Sequence, residues 1–369
     1  MNTTILGGIV FVAVFAGIIL LHELGHFIVA KLLHIEVEEF GFGFPPRIVK
    51  LFTWRGTDFT LNWIPLGGFN KLKGENDPSQ SGGFAAANPW RRIPVLLAGA
   101  TMNILTAVFV YTLFFSQVGL PDQHKVVVSL IAANSPAEQA GLKTGDVVIS
   151  AGGQAVKSTQ QLINITYTSL GKPIPLVIER NGQQMEISIT PRTNPPAGEG
   201  PMGVSIGNPI LPAKSWFSTI PTSFATVGSD IDSLLSLPGR IIAGTVSPQD
   251  AQIAGPRSIW NLFQQSVSRD VTSREQTGSA GGKTTAMPTN YTLLVIISLT
   301  LTVGVVNLLP IPALDGWHIF MSLVEIVIRK RIPAKYQVAI NSIGFLVLVS
   351  LLGFFYIKDF INPINITLP

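Results

Sequence analysis

The stretch ILGGIVFVAVFAGIILLHELGHFIVAKLL, residues 5–33, is a long apolar run with two histidines and a glutamate in its second half. A helix needs about 20 apolar residues to cross the hydrocarbon layer of a membrane, so this stretch predicts a transmembrane helix. An ionised side chain near the bilayer centre costs roughly 2.5–3.5 kcal/mol and usually marks function. We therefore expect His22, Glu23 and His26 to serve chemistry, and we disfavour the alternative that they only pair with neighbouring helices.

The composition indicates an integral membrane protein. Only 12% of the 369 residues are charged, 47% are hydrophobic and the mean hydropathy is +0.42, so much of the surface faces something other than water. The net charge of +4 is small and the basic residues are scattered, which gives no footprint for nucleic acid. Because the chain has no cysteine, a metal site here takes nitrogen and oxygen ligands.

Four apolar stretches are long enough to span the lipid bilayer. They are residues 5–33, 93–118, 291–309 and 338–357. The first stretch has no basic segment before it and no small-residue cleavage site, so we interpret it as a retained helix rather than a signal peptide. Lysine and arginine are concentrated between the first two stretches and just before the fourth, which predicts that both of these loops are cytoplasmic. The long segment between the second and third stretches is then extracytoplasmic.

The segments between the apolar stretches predict two further folded regions. In residues 35–92, large apolar residues alternate with small or polar ones between Pro-Pro and Gly-Gly breaks, which favours short hairpins at the membrane surface over an ordinary cytoplasmic loop. Residues 124–192 contain apolar β-type runs, turn signals and one helical run, SPAEQAGL, and they predict a small globular domain. A Gly/Ser/Thr tract at residues 273–285 is typical of a flexible linker.

His22, Glu23 and His26 form an H-E-x-x-H motif. Residues four apart lie on one face of a helix, so both imidazoles reach one metal ion and Glu23 projects beside them towards a water. Zinc suits two histidines and an oxygen ligand, with water in the fourth tetrahedral position. Glu23 then serves as general base and returns the proton to the leaving amine, which is the chemistry of peptide hydrolysis.

A catalytic zinc ion of this kind requires a third protein ligand, and we expect it to be Asp315. This residue lies in NLLPIPALDGWH, residues 307–318, at the end of the third apolar stretch. Pro310 and Pro312 break the helix there, and broken backbone is tolerated at membrane depth when it lines a water-filled cavity. His318 is the rival candidate, although a supporting role behind the ligands or a place at the membrane interface is favoured for it.

Together, the two motifs resemble those of the site-2 protease family of intramembrane zinc metalloproteases, peptidase family M50. The bacterial branch of this family, which cuts single-span regulatory membrane proteins, is the most similar. H-E-x-x-H in the first transmembrane helix and a distant N-x-x-P-x-P-x-L-D-G carry the resemblance, which covers nearly the whole chain. The family pattern implies Zn²⁺ ligands at His22, His26 and Asp315 and a catalytic base at Glu23.

The same resemblance implies residues that hold the substrate. LLAGATMNILTA is similar to the family's second-helix segment, in which an asparagine, here Asn103, helps to keep the substrate extended. Asn307 has the same implied role. PLGGFNKLKGE is similar to the family's membrane-associated β element, where we expect Gly67 and Gly68 to contact an unwound substrate strand that pairs with the sheet.

SPAEQAGLKTGDVVISAGGQAV resembles the core of a PDZ domain and implies a size filter that keeps substrates with bulky ectodomains from the active site. The predicted fold is a polytopic α-helical membrane protein with about four transmembrane helices, a membrane-associated β element and one extracytoplasmic PDZ-like domain. The predicted segments are 1–34, the first transmembrane helix with H-E-x-x-H; 35–92, the cytoplasmic membrane-associated β-rich region; 93–118, the second transmembrane helix; 124–192, the PDZ-like domain; 193–288, an extracytoplasmic amphipathic segment and linker; 289–328, the third transmembrane helix and the L-D-G metal motif; and 329–369, the fourth transmembrane helix and the C-terminus.

The sequence therefore predicts a zinc endopeptidase that hydrolyses peptide bonds in transmembrane segments of single-span membrane proteins already trimmed by another protease. The resemblance implies anti-sigma factors or remnant signal peptides as substrates, and a multi-pass location in the bacterial inner membrane, with a plastid membrane as the alternative. A second class of function is an inactive membrane-anchored PDZ scaffold or chaperone, and the retained Glu23 argues against it. A transporter is disfavoured because the sequence shows neither paired repeats nor more than four apolar stretches.

Overall fold

A computed structural model of the chain describes residues 3–75, 77–196, 198–243, 255–279 and 290–362. These residues divide between two compact units, which are described separately. The helical unit comprises Met1–Gln117 and Trp216–Pro369, and the sheet unit comprises Val118–Ser215. The metal-ligand candidates all belong to the helical unit, because they come from the first apolar stretch and from the segment after the third.

Helices dominate the helical unit, and short strands dominate the sheet unit. In the described ranges the helices are α1 (Thr3–Leu32), α2 (Pro89–Val118), α3 (Pro136–Gln139), α4 (Thr159–Thr168), α5 (Ile220–Ile242), α6 (Pro256–Ser279), α7 (Tyr291–Asn307), α8 (Asp315–Ile328) and α9 (Ala334–Ile361), with a 3₁₀ helix at Trp216–Thr219. The strands are β1 (Val37–Trp54), β2 (Thr57–Leu72), β3 (Leu120–Pro121), β4 (Val126–Ile131), β5 (Val147–Ala151), β6 (Gln154–Ala155), β7 (Ile174–Arg180), β8 (Gln183–Ile189), β9 (Val204–Gly207) and β10 (Ile210–Leu211).

Three of the described helices, α1, α2 and α9, are long and apolar enough to cross a membrane. They coincide with the first, second and fourth predicted stretches. The third stretch forms α7, which is apolar but has only 17 residues and rises about 25 Å, so a fourth crossing stays a prediction, as does the orientation of the spans. α7 ends at Asn307 and α8 begins at Asp315, since Pro310 and Pro312 between them do not continue a helix.

Small residues let α1 and α7 approach α2 closely. A side chain at Gly25 of α1 would clash with the carbonyl oxygen of Ala98 in α2. A Cβ atom at Gly304 of α7 would lie 3.2 Å from the Cβ atom of Asn103 and 3.3 Å from the carbonyl oxygen of Ala100, both in α2. Lipid tails are as apolar as leucine, so close backbone packing of this kind stabilises helix contacts that the hydrophobic effect does not.

The β-rich region is one long hairpin that folds back on itself, and not the series of short hairpins that the sequence predicts. β1 has 18 residues and β2 has 16, joined by a two-residue turn. Residues 39–42 of β1 pair with residues 58–61 of β2 on one side and with residues 68–71 on the other. The Gly-Gly break therefore lies inside a continuous strand, where Gly67 has a φ of +86° that glycine adopts without strain.

The folded-back end of β2, residues 68–72, forms the edge of this sheet, and we call it the edge segment. It pairs with residues 37–42 of β1, and no other described strand pairs with its second side. The hairpin packs on α1 through a cluster of rings, in which Phe27 of α1 lies 5.2 Å from Phe40 and 5.6 Å from Phe59 between centroids. The edge segment thus lies against the helix that carries the H-E-x-x-H motif.

The sheet unit is built on an antiparallel sheet of strand order β8-β7-β5-β4-β9, with β6 paired to β5. Its buried core is formed by side chains from the strands and from α4, and includes Val126, Val148, Leu162 and Ile178. The unit continues past residue 192, the predicted end of the domain, because β9 completes the sheet by pairing with β4. The helical run SPAEQAGL forms only the single turn α3, and α4 is a helix that the strand-like pattern does not predict.

α6 extends into the tract that the sequence predicts as a flexible linker. Residues 273–279 of that tract are helical, and residues 280–285 lie outside the described residues. Asp270 of α6 accepts hydrogen bonds from the backbone N–H groups of Tyr291 and Thr292, at 2.9 and 3.0 Å. A carboxylate at this position satisfies free donors of the first turn of α7 and complements the helix dipole.

A buried ion pair stabilises the sheet unit. The carboxylate of Asp146 is 1% exposed and accepts hydrogen bonds from Nε and Nη2 of Arg180 at 2.7 and 2.6 Å, and from the backbone N–H of Lys143 at 2.8 Å. Burial by itself would raise the pKa of Asp146, but the bonds from Arg180 and Lys143 outweigh it and hold the pKa below its ordinary value of 3.8.

We expect Arg180→Ala to destabilise the sheet unit, because it leaves the carboxylate of Asp146 without its charged partner. Since the folded-state pKa of Asp146 is lowered, the stabilisation is complete above pH 3.8 and is lost as the pH falls below that value. The measurement is amide hydrogen exchange of residues 118–215 in the full-length protein. Glu199→Gln, which removes only the half-exposed partner of Arg192, is the control and should change exchange little. Equal changes in hydrogen exchange for the two substitutions would contradict a stabilising role of the Asp146–Arg180 pair.

Candidate metal centre

Two helices bring three ligand atoms together. His22 and His26 lie one turn apart on α1, and their Nε2 atoms are 3.1 Å apart. Asp315, the first residue of α8, places its Oδ2 atom 3.0 Å from Nε2 of His22 and 3.3 Å from Nε2 of His26. Among the described residues these three form the one group of His, Asp and Glu side chains with metal-ligand spacing.

The spacing of the three atoms fits tetrahedral zinc. Zinc bonds to nitrogen and oxygen of about 2.0–2.1 Å, at tetrahedral angles, separate two ligand atoms by about 3.3 Å. The observed separations of 3.0, 3.1 and 3.3 Å are close to that value. Two nitrogens and one carboxylate oxygen are also the ligand types of a catalytic zinc site that keeps one position open. The residues present therefore fit this ion.

A backbone carbonyl of α2 orients His26. The Nδ1 atom of His26 donates a hydrogen bond to the carbonyl oxygen of Val95 at 2.7 Å, and both groups are buried. A proton on Nδ1 leaves the lone pair of Nε2 free for a metal, and the same bond fixes the plane of the ring. Helix α2 thus determines which nitrogen of His26 faces the other two ligands.

Gly99 makes room for the imidazoles. A Cβ atom at this position in α2 would overlap Nε2 of His26 and the Cε1 and Nε2 atoms of His22. Only glycine lets the backbone of α2 pass so close to the ligand atoms. The protein backbone therefore closes the centre on the α2 side.

A polar cavity adjoins the ligands on the side of the hairpin and α8. Its volume is about 250 Å³, and Glu23, His318, Asn70 and Asn341 line it together with the three ligands. Glu23 follows His22 on α1 and so faces the same space as the imidazoles. A carboxylate in this position reaches a water or a peptide group beside the metal ligands, which is the placement that a general base requires.

The two asparagines predicted to hold the substrate lie against His22. The Nδ2 atom of Asn103 is 3.4 Å from Nδ1 of His22, and the Nδ2 atom of Asn307 is 3.4 Å from its Nε2. Asn103 is fully buried on α2, where this helix packs against Gly304 of α7. Their role in substrate binding stays a prediction.

Gly67 and Gly68 lie where the hairpin meets α1. A Cβ atom at Gly67 would overlap the side chain of Ile19, and one at Gly68 would overlap the side chain of Leu20. Both glycines allow β2 to approach α1 closely, and substrate contact by them stays a prediction. His318 lines the cavity one turn after Asp315 but is not one of the three clustered ligand atoms.

Sequence reasoning missed several supporting groups. Gly99 and the Val95 carbonyl lie in α2, where the sequence singled out only Asn103; a glycine inside an apolar span was the signal available for the first. A buried ion pair between Arg92 of α2 and Glu325 of α8 was also missed. Glu325 also accepts hydrogen bonds from the backbone N–H of Ile332 at 3.0 Å and from the side-chain Nε2 of Gln337 in α9 at 3.1 Å. The carboxylate of Glu325 therefore connects α8 to α2 and to α9.

The chain was compared with known protein families and proteins. A family model described as peptidase family M50 matches residues 10–351. The chain belongs to peptidase family M50. A protein of Clostridium perfringens named as a zinc metalloprotease is 32% identical over 351 residues, which cover 95% of this chain and 97% of that protein. A chloroplastic membrane metalloprotease of Arabidopsis thaliana is 28% identical over 369 residues, which cover 94% of this chain and 77% of that protein.

Part of this M50 peptidase is also similar to solved structures, among them a PDZ domain. The match to the PDZ domain of an SdrC-like protein from Listeria monocytogenes covers 22% of this chain and 85% of that structure, at 21% identity. Its TM-score of 0.20 is too low to establish a shared fold. The PDZ-like description of the sheet unit therefore remains a resemblance in sequence.

Family membership confirms the predicted family, the predicted enzyme class and the predicted cofactor. The M50 peptidase is a zinc metallopeptidase of the site-2 protease type, and its apolar helices and its relatives identify it as a membrane protein. In this chain the atoms that suit the zinc ion are those of His22, His26 and Asp315.

We expect Asp315→Ala to lower the zinc affinity of the purified protein by more than ~100-fold, because it removes the oxygen ligand of a three-ligand site. Chelator competition followed by metal analysis measures this affinity. His318→Ala is the matched control, since His318 lines the same cavity without belonging to the cluster, and it should retain zinc. Zinc retention in Asp315→Ala together with zinc loss in His318→Ala would exchange the roles of the two residues.

We expect Gly99→Ala to weaken zinc binding by roughly 10- to 100-fold, because the added methyl group displaces both imidazoles. The same chelator competition gives the affinity, and the circular dichroism of the protein checks its helix content. Gly17→Ala in α1 is the control, since a Cβ atom there meets no neighbour within 4 Å. Normal zinc affinity in a folded Gly99→Ala protein would show that α2 does not shape the centre.

Proposed function

We propose that this M50 peptidase is an intramembrane endopeptidase that hydrolyses peptide bonds within the transmembrane segments of single-span membrane proteins. The observation that carries the proposal is the position of the ligands on an apolar helix long enough to span a bilayer. His22 and His26 lie about 15 and 9 Å from the end of α1, counted at 1.5 Å per residue. A substrate peptide bond that is cut beside these histidines would lie within the hydrocarbon layer of the membrane, so the substrate segment would itself be transmembrane.

The residues of the centre divide the work of hydrolysis. His22, His26 and Asp315 hold the ion, which when bound polarises a carbonyl group and lowers the pKa of water. Glu23 takes a proton from the attacking water as the water oxygen adds to the scissile carbonyl carbon. Glu23 then delivers that proton to the nitrogen of the leaving amine as the carbon–nitrogen bond breaks.

The sheet edge beside the centre supports a substrate in extended form. A transmembrane helix hides its scissile bonds inside its own hydrogen-bond ladder, and an unwound strand exposes unpaired backbone groups that lipid does not satisfy. The edge segment has one free side and lies against α1. Pairing of the substrate with this edge would satisfy those groups and keep the strand extended next to Glu23.

The cellular setting is part of the same proposal. The basic loops around the β-rich region and before α9 support a cytoplasmic location for these regions, and thus an extracytoplasmic sheet unit that excludes substrates with bulky ectodomains. Substrates would then be single-span proteins already trimmed by another protease, such as anti-sigma factors or remnant signal peptides. A bacterial inner membrane fits the bacterial relatives, and a plastid membrane fits the chloroplastic one.

An inactive scaffold is the alternative function, and the centre does not favour it. A protein that only presents a peptide-binding domain has no need of three clustered ligand atoms or of a carboxylate facing the same cavity. Glu23 beside His22 and His26 is the feature that separates an enzyme from such a scaffold.

We expect Glu23→Gln to abolish cleavage and to leave zinc binding intact, because glutamine preserves the shape of the side chain but does not accept the proton. Quantitative comparison of membrane proteomes from cells that express the wild type or Glu23→Gln is the measurement. Short single-span stubs should accumulate only with the variant. His22→Ala is the control and should accumulate the same stubs while also losing zinc. Identical proteomes from folded, zinc-loaded wild type and Glu23→Gln would favour the scaffold.

A further inference from the structure

The two polar atoms of the Asn70 amide are buried and have no hydrogen-bond partner among the described residues. Neither its Nδ2 atom nor its Oδ1 atom is accessible to solvent, and neither bonds to any described residue. Buried amides in proteins almost always have partners, so an amide with both ends free needs an explanation. Asn70 is not part of the motifs from which the metal centre is predicted.

Asn70 lies on the edge segment and faces the catalytic cavity. Alternate residues of a strand point to the same side, and both Asn70 and Leu72 line the cavity that contains Glu23 and the metal ligands. Its strand neighbour across the sheet is Phe40 of β1, so the other side of the segment remains open at this point. The free amide thus lies at the place where the edge of the sheet meets the reacting groups.

A second asparagine on the same strand gives a direct contrast. Asn62 is also buried, and its Oδ1 atom likewise has no partner among the described residues, but its Nδ2 atom donates a hydrogen bond to the carbonyl oxygen of Gly43 at 2.9 Å. Asn62 does not line the cavity. Its amide therefore connects β2 to β1, whereas no comparable task within the described structure accounts for the amide of Asn70.

We infer that the amide of Asn70 binds the backbone N–H and C=O of one substrate residue next to the scissile bond. A primary amide carries a donor and an acceptor side by side, and an extended strand presents the N–H and C=O of one residue on the same side. Nδ2–H of Asn70 therefore donates to the C=O of a substrate residue, and Oδ1 accepts from the N–H of that same residue. This inference rests on the proposed function. It makes Asn70 a residue that recognises the backbone of an unwound strand.

The binding mode explains why the amide is left free in the protein alone. A polar pair that is satisfied only when an extended peptide enters favours unwound chains over helices, because the N–H and C=O groups of a helix interior are already bonded to each other. Asn70 then contributes to the choice between helical and extended segments, and it does so independently of the side chains of the substrate.

The experiment uses the full-length, zinc-loaded Glu23→Gln protein, which is expected to retain its substrate. We expect Asn70→Leu in this background to reduce the amount of co-purifying single-span stub by roughly tenfold, since two hydrogen bonds to the substrate are lost. Zinc content and melting temperature should stay at the level of the parent, because leucine has a similar volume and no protein partner of Asn70 is left unpaired. Asn70→Gln, which keeps the amide, should recover part of the retention.

Asn62→Leu is the matched control. It should lower the melting temperature, because the Gly43 carbonyl loses its donor, and it should retain the stub as the parent does. Unchanged retention of the stub in Asn70→Leu would overturn the inference and leave the proposed function standing. A parent protein that is folded and zinc-loaded but retains no stub would defeat the proposed function, and the inference with it.

Discussion

The close approach of α1 and α2 is the constraint on which the rest of the helical unit depends. Two imidazoles on α1 must face a carboxylate that lies 293 positions after His22 in the chain, within 3.3 Å of both rings. This arrangement requires a carbonyl of α2 to hold one ring and a glycine of α2 to leave space for both. The glycines at the contacts of α1 and α7 with α2 bring the backbones near enough for these contacts to form.

The position of the carboxylate ligand depends on a second set of buried polar groups. Asp315 begins α8, so the orientation of α8 sets the third ligand atom. The buried pair of Arg92 and Glu325 connects α2 to α8, and Glu325 also holds the chain at the start of α9. Removing one partner of a buried pair leaves an uncompensated charge, so these contacts resist any sliding of α8 against α2. The contacts of Glu325 with α2 and with the start of α9 therefore hold in place the helix that carries Asp315.

Sequence reasoning identified the chemistry of the centre because metal ligation imposes a local spacing. H-E-x-x-H places His22, Glu23 and His26 on one helix, and the prolines before Asp315 mark the break from which the third ligand projects. Long-range contacts leave no such local pattern. Nothing in the sequence around Gly99 or Arg92 indicates which helix lies opposite, and the double pairing of residues 39–42 depends on how far β2 folds back. The predicted end of the small domain at residue 192 is too early for the same reason, because β9 pairs with β4, a strand distant in sequence.

The contact of Gly99 with both imidazoles also affects how an inhibitor reaches the metal centre. Because α2 leaves no volume beside the imidazoles at Gly99, a small chelating molecule has no approach to the ligand atoms from that direction. The open direction is the cavity that Glu23 shares with the edge segment. An inhibitor with a metal-binding head and an extended backbone would contact both the ligand atoms and the sheet edge, whereas a compact chelator would contact the metal site alone.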